Sequence, residues 1–244
     1  MTPRTLLRIA YLALRNRLQE ELRYPFQFIL NYLFFVTLSY FLAVGGVAVQ
    51  GGGSVLSNMA SFFLAFALGG GLNGALDIYG SNRARVEEFY IRPIDSVSYL
   101  FAVFLGRMIE TMTTMSIFLL LAALLLGQSP EILVRFIAVG TPLFVVFVAV
   151  GMGLAGIRLI FQKVGVLSQL IWILLLGTSL AASTSSLSSL ALWSAFANGV
   201  VYLRGGPLEL NSFICSCVIT AGVGLLVFKI CERAMFKRGL SSQE

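Results

Sequence analysis

One charged stretch, residues 81–97 with the sequence SNRARVEEFYIRPIDSV, interrupts two apolar runs that are each long enough to cross a bilayer. Upstream of it residues 55–76 carry no charge, and downstream residues 98–127 carry only Arg107 and Glu110. The stretch therefore reads as a loop between membrane helices. It sets Arg83, Arg85 and Arg92 against Glu87, Glu88 and Asp95. Orientation follows Lys and Arg and largely ignores acidic residues, so the loop is expected in the cytoplasm. Within it, residues 85–90 are competent helix formers. Pro93 lacks an N–H and disfavours the α region at Arg92, which stops that helix. The expected element is a short helix along the inner membrane face. Its aromatic pair, Phe89 and Tyr90, would dip into the interface or dock on another protein.

Composition generalises the point. The chain is 58% apolar and 11% charged, with a mean hydropathy of +0.90, far outside the range of soluble domains. The net charge of +6 would suggest nucleic acid in a soluble protein. Here the cations flank apolar spans, so topology and anionic lipid account for them and no nucleic-acid partner is expected. There are three Cys and no His. Cys215 and Cys217 lie inside an apolar segment and Cys231 at its end, which implies neither a disulfide framework nor a metal site. The N-terminal Arg are spread from Arg4 to Arg23 with no small-residue cleavage site after a short apolar core, so no cleavable signal is expected.

Taken in order, residues 1–25 place Leu7, Ala10, Tyr11, Leu14 and Leu18 at helical spacing with Arg4, Arg8 and Arg15 beside that stripe. This is an amphipathic helix in the membrane plane or a basic anchor before the first span. Six spans are expected, at residues 26–46, 55–76, 98–127, 136–157, 164–181 and 210–228. A glycine-rich outer turn joins the first two, Glu131 and Arg135 mark a short outer loop, and Arg158 and Lys163 bracket an inner turn. Gly70 and Gly74 in the second span have the small-xxx-small spacing that lets two helices approach closely. In the fourth, Gly151, Gly153 and Gly156 match G-x-G-x-x-G by accident, since a dinucleotide site needs a preceding strand and a later acidic residue. Residues 182–207 begin with Ser and Thr and are too interrupted for a further crossing. They read as outer-side re-entrant helices, with Trp193 and Tyr202 at interfacial depth. Residues 229–244 form a basic cytoplasmic tail. In this arrangement every Lys and Arg except Arg107, Arg135 and Arg204 falls on one side, which places both termini in the cytoplasm.

Arg107 and Glu110 sit i, i+3 inside the third span. A charge at the centre of a span costs about 2.5 to 3.5 kcal/mol on insertion scales. The two residues are therefore either a structural pair that reaches toward the inner surface or part of a translocation pathway.

With these features in place, the chain resembles the permease of an ABC-2 type exporter. The resemblance rests on the basic N-terminus, the six spans, the acidic-aromatic helix followed by R-P-I after the second span, and the apolar material before the sixth. The stretch VEEFYIRPIDSVSYLFAVFLGR at 86–107 is similar to the family's sequence after the second span. GLAGIRLIFQKVGVLSQLIWILLLG at 153–177 resembles its fourth-to-fifth-span junction. Where the family commonly has Asn-Pro near its re-entrant helices, this chain has Asn198-Gly199.

The resemblance implies a half-transporter in a prokaryotic plasma membrane, paired with a second copy or a related permease. Its power would come from a separate ABC ATP-binding subunit that holds the ATP and Mg, with no catalytic site or cofactor in this chain. Glu87, Glu88, Phe89, Tyr90, Arg92 and Pro93 would form the coupling helix that docks on that subunit. The cargo would be a lipid-like, amphiphilic or glycan-type molecule. Two other classes compete. A secondary transporter would show internal repeats and ionisable residues near the midplane of several spans. A membrane-embedded hydrolase would need a base near the hydroxyls of Ser183, Thr184, Ser185 and Ser186, where no Lys, Asp or Glu stands at a usable spacing.

Overall fold

The computed structural model describes residues 11, 15, 19, 23–50, 54–81, 96–161, 165–181 and 194–238. Among the described residues the chain forms seven α-helices and no strand: α1 (Pro25–Gln50), α2 (Val55–Ser81), α3 (Ser96–Leu125), α4 (Glu131–Ile160), α5 (Gly165–Ala181), α6 (Ala195–Leu203) and α7 (Leu210–Arg238). Four are long and apolar enough to cross a membrane, over Val55–Asn73, Phe104–Leu125, Glu131–Arg158 and Leu210–Ala234. This is consistent with a multi-pass membrane protein. α1 and α5 contribute the shorter apolar stretches Leu33–Gly45 and Val166–Leu180.

Local chemistry sets the helix ends. Pro25 opens α1 at a position where its missing N–H costs nothing. α3 closes on Gly127 at φ +61°, with the Gln128 N–H reaching back to the Ala123 carbonyl at 2.9 Å. α6 closes the same way on Gly205 at φ +92°, where the Gly206 N–H meets the Val201 carbonyl at 3.0 Å. A left-handed residue costs glycine nothing, so both glycines serve as stops. At the start of α6 the Ser194 hydroxyl accepts from the Ala197 N–H at 3.3 Å.

Two expected boundaries move, and a third region is described only in part. Glu131 and Arg135 do not form a loop but lie in the first turns of α4, where Arg135 Nη2 donates to Glu131 Oε1 at 2.9 Å. Residues 229–238, expected in a tail, continue α7. Lys, Arg, Glu, Ala and Met are all good helix formers, and Lys229 Nζ meets Glu232 Oε2 at 2.9 Å. In the re-entrant region, residues 182–193 lie outside the described residues, and the remainder folds as the nine-residue α6.

α2 is the hub. Of its membrane-length window 83% is buried, against 22% for α7, and it packs on α1, α3, α4, α5 and α6. Phe62, Phe63, Leu64, Leu68 and Leu72 are its fully buried anchors. Helices in lipid gain nothing from hiding apolar surface from one another, so association depends on how closely they fit. Glycines supply that fit. Gly69 receives the Trp172 ring of α5, and Gly71 faces Met108 of α3, whose Sδ would lie 2.9 Å from an added methyl. Gly151 receives Phe104 of α3. Gly153 and Gly156 lie against Gly224 and Phe228 of α7. The accidental G-x-G-x-x-G thus has a packing role. Gly70, by contrast, is exposed with nothing within 4 Å of an added methyl, so the notches in α2 are its neighbours Gly69 and Gly71. The outward faces stay apolar, as Phe26, Phe34 and Phe41 of α1 and Val218, Ile219 and Leu226 of α7 show.

Candidate functional site

The candidate docking residues Glu87, Glu88, Phe89, Tyr90, Arg92 and Pro93 lie outside the described residues, as do Trp193 and the hydroxyl run at 183–186. The structure instead fixes what surrounds the place where that loop attaches. It also locates the polar groups inside the apolar bundle.

Cross-helix contacts sort the helix ends into two sets. Ser54 Oγ donates to Gln128 Oε1 at 2.7 Å, which puts the start of α2 beside the α3–α4 turn. Ser179 Oγ near the end of α5 donates to the Ser61 carbonyl at 3.2 Å. Arg204 in turn donates through Nη2 to the Ser179 carbonyl. Arg135 lies 5.7 Å from the ring centre of Tyr202. All of these belong to one end. At the opposite end, which bears residues 82–95 and is called here the loop end, Arg158 Nη1 donates to the Leu76 carbonyl at 2.6 Å. Gly156 of α4 lies there against Phe228 and Cys231 of α7.

The far end carries two cations among the described residues, and both are bound internally. Arg135 spans Glu131 and Tyr202, and so ties α4 to α6. Arg204 reaches the last turn of α5, the negative end of that helix. Desolvation holds its guanidinium below the ordinary arginine pKa, and the Ser179 carbonyl gives the buried charge a partner. Asn198, 2% exposed in α6, binds the backbone of Glu209 in both directions. Its Nδ2 donates to the carbonyl at 3.2 Å and its Oδ1 accepts from the N–H at 3.3 Å. That clasp fixes the turn from α6 into α7.

At the loop end, Arg23, Lys229 and Arg233 are exposed to the surroundings, with Lys229 and Arg233 one turn apart on α7. The two ends therefore differ in the number of their cations: the described residues place Arg23, Arg158, Lys229 and Arg233 at the loop end, where Arg158 donates to the Leu76 carbonyl and Lys229 pairs with Glu232, and Arg135 and Arg204 at the far end.

Inside the bundle Arg107 and Glu110 meet at 3.3 Å, Nη1 to Oε2, with side-chain exposures of 16% and 6%. Neither side chain is freely solvated, and each charge has the other as a partner. The next residue anchors the position. Thr111 Oγ1 donates to the Ala67 carbonyl of α2 at 3.1 Å, a contact permitted by Gly71 one turn along, where a methyl would meet Thr111 Oγ1 at 3.3 Å. Thr114 Oγ1 bonds the Glu110 carbonyl at 2.9 Å.

The sequence reading placed Arg158 and Arg204 by topology and Asn198 by its neighbour Gly199, without their contacts, and did not single out Asn58. Asn58 is 2% exposed in the first turn of α2, and its Nδ2 has no hydrogen-bond partner among the described residues. Arg158 and Arg204 had a signal, because each is a lone Arg at the edge of an apolar segment, where it serves topology and tertiary contact alike. The two Asn had only their unusual polarity. Comparison with protein-family models, with curated proteins and with solved structures finds no match to this chain.

Proposed function

We propose that this chain is the membrane-spanning permease subunit of an ABC-2 type exporter. It would have six spans with both termini in the cytoplasm of a prokaryote, and would act as a dimer with a second copy or a related permease. A separate ABC subunit binds ATP and Mg and drives it, and the chain itself performs no catalysis. The observation that carries the reading is the contrast between the two ends. The loop end, to which the Arg-rich loop attaches, holds Arg23, Arg158, Lys229 and Arg233 among the described residues, while the far end holds Arg135 and Arg204. A cation-rich end of this kind is the cytoplasmic one. A loop containing an aromatic pair beside the cytoplasmic end of the hub helix is suitably placed to transmit the closing of an ATPase dimer. The cargo is a lipid-like, amphiphilic or glycan-type molecule, in keeping with spans so poor in charge.

A second reading, a secondary transporter, draws on the buried Arg107–Glu110 pair, since intramembrane ionisable residues mark ion pathways. One experiment separates the two readings. The chain is co-expressed with a candidate ABC ATP-binding subunit from the same genome and purified. The exporter reading expects a complex whose ATP hydrolysis depends on the permease. Replacing Phe89 and Tyr90 with Ala should release the subunit or uncouple it, because buried aromatic anchors contribute about 2 kcal/mol or more each. The same treatment of Phe161 and Gln162 should have a weaker effect. Full complex and full transport in the Phe89→Ala/Tyr90→Ala variant reject the exporter reading.

A further inference from the structure

α2, α4 and α7 run in the same direction, since each starts at the far end and finishes at the loop end. Their carbonyl termini, the negative ends of three helix dipoles, therefore gather on one side. Arg158 stands at this end and reaches a carbonyl five residues short of the close of α2. It lies in the last turn of α4, where it complements its own helix, and its Nη1 donates across to the Leu76 carbonyl of α2 at 2.6 Å. Leu76 is 4% exposed, and Arg158 itself is only partly exposed. This is a charge-assisted hydrogen bond in surroundings of low polarity, roughly twice as strong as a neutral one.

The partners on each side make the bond consequential. Five residues beyond Leu76, α2 ends at Ser81 and residues 82–95 begin. On the other side, α4 is in backbone contact with α7. A methyl on Gly153 would fall 2.9 Å from the Gly224 carbonyl oxygen, and one on Gly156 would fall 2.9 Å from Phe228 Cα. Packing this close does not deform continuously, so α4 and α7 move together.

We propose that Arg158 is a positioning residue, the strut that fastens the loop-bearing end of α2 to the α4–α7 pair. Displacement of the central loop then reaches α7 through α4 instead of bending α2 alone. The strut stands on the geometry of this chain. Its use in transport rests on the exporter reading above.

The test needs no partner subunit. Amide hydrogen exchange is followed by mass spectrometry in lipid nanodiscs for the parent, Arg158→Met and Arg158→Lys. Met keeps much of the length and removes every donor, and Lys keeps the charge without the planar fork. The amides of residues 77–81 should exchange about tenfold faster in Arg158→Met, with Arg158→Lys in between. Two controls should not move: the amides of the α3–α4 turn at the far end, and maleimide labelling of Cys231, which is packed against Gly156. Unchanged exchange at 77–81 in Arg158→Met overturns the proposal. So does simultaneous loosening of the far-end turn and Cys231, which would make Arg158 a general stabiliser. Selective loosening together with absence of any permease-dependent ATPase would retain the strut and reject only the exporter reading.

Discussion

Gly153 and Gly224 meet backbone to backbone, with a methyl on Gly153 lying 2.9 Å from the Gly224 carbonyl oxygen and one on Gly224 lying 2.6 Å from the carbonyl carbon of Ala149. No flexible side chain stands between the helices to give way. Gly224→Ala is expected to destabilise the protein by about 1 to 3 kcal/mol through overpacking. Gly222, two residues away, has nothing within 4 Å. There Ala should be neutral or stabilising by up to about 1 kcal/mol from helix propensity. Thermal unfolding in detergent, followed by the monodisperse fraction, ranks the two variants. Equal melting temperatures would mean that the α4–α7 contact is looser than described.

The Arg107–Glu110 pair is expected to behave as a unit. Arg107→Glu or Glu110→Arg alone leaves like charges together in a place sheltered from water, at a cost of roughly 3 kcal/mol. The double reversal restores an attractive pair and should recover most of the folded yield. Size-exclusion profiles of the three variants decide it. Equal losses in all three would show that the position depends on each residue separately, as a pathway role would require.

Among the described residues Asn58 has a buried Nδ2 without a partner, in the membrane-length helix with the largest buried share. An unmatched donor in such a place is a standing cost of about 1 to 3 kcal/mol. Asn58→Leu should therefore leave stability unchanged or raise it, with a melting temperature at or above that of the parent. If transport falls while stability rises, the amide serves function. A drop of several degrees would show that the amide has a bonding partner in the membrane-embedded protein.

Sidedness is directly measurable. In a background lacking Cys215, Cys217 and Cys231, a cysteine replacing the exposed Gln128 should react with an impermeant maleimide from outside intact cells. One replacing the exposed Arg233 should react only after lysis. Reaction of both from the same side would be incompatible with the alternation of α3, α4 and α7 across a membrane.

The apolar segments were legible because span length and absence of charge are properties of composition, and α3 and α5 begin and end within two residues of the expected limits. Boundaries at charged residues were not. Glu131 and Arg135 looked like loop residues, yet an i, i+4 pair is as comfortable on the first turns of a helix. The basic run after Phe228 looked like a tail for the same reason, although nothing in it breaks a helix. Gly70 and Gly74 were chosen by spacing. Which glycine of a run meets a neighbour depends on the rotation of the helix, and that is set by distant residues, Trp172 for Gly69 and Met108 for Gly71. The polar contacts of Arg158, Arg204 and Asn198 join residues that only the fold brings together, and the accepting groups are mostly backbone carbonyls, which no sequence pattern marks.

α1 makes its substantial contact with α2, while α2 is surrounded by α1, α3, α4, α5 and α6. Among the described helices α1 and α2 are synthesised before α3 to α7, so their hairpin already contains the helix around which the later ones must assemble. Until α3 to α6 arrive, most of α2 faces lipid. Its lack of charge through Leu76 lets it wait there without penalty. The exceptions are few and small: Ser57, Asn58 and Ser61 near its beginning and Asn73 near its end. The hub thus faces the bilayer before it is enclosed. Substitutions that introduce charge along it should act on insertion and turnover of the nascent chain before they act on the finished bundle.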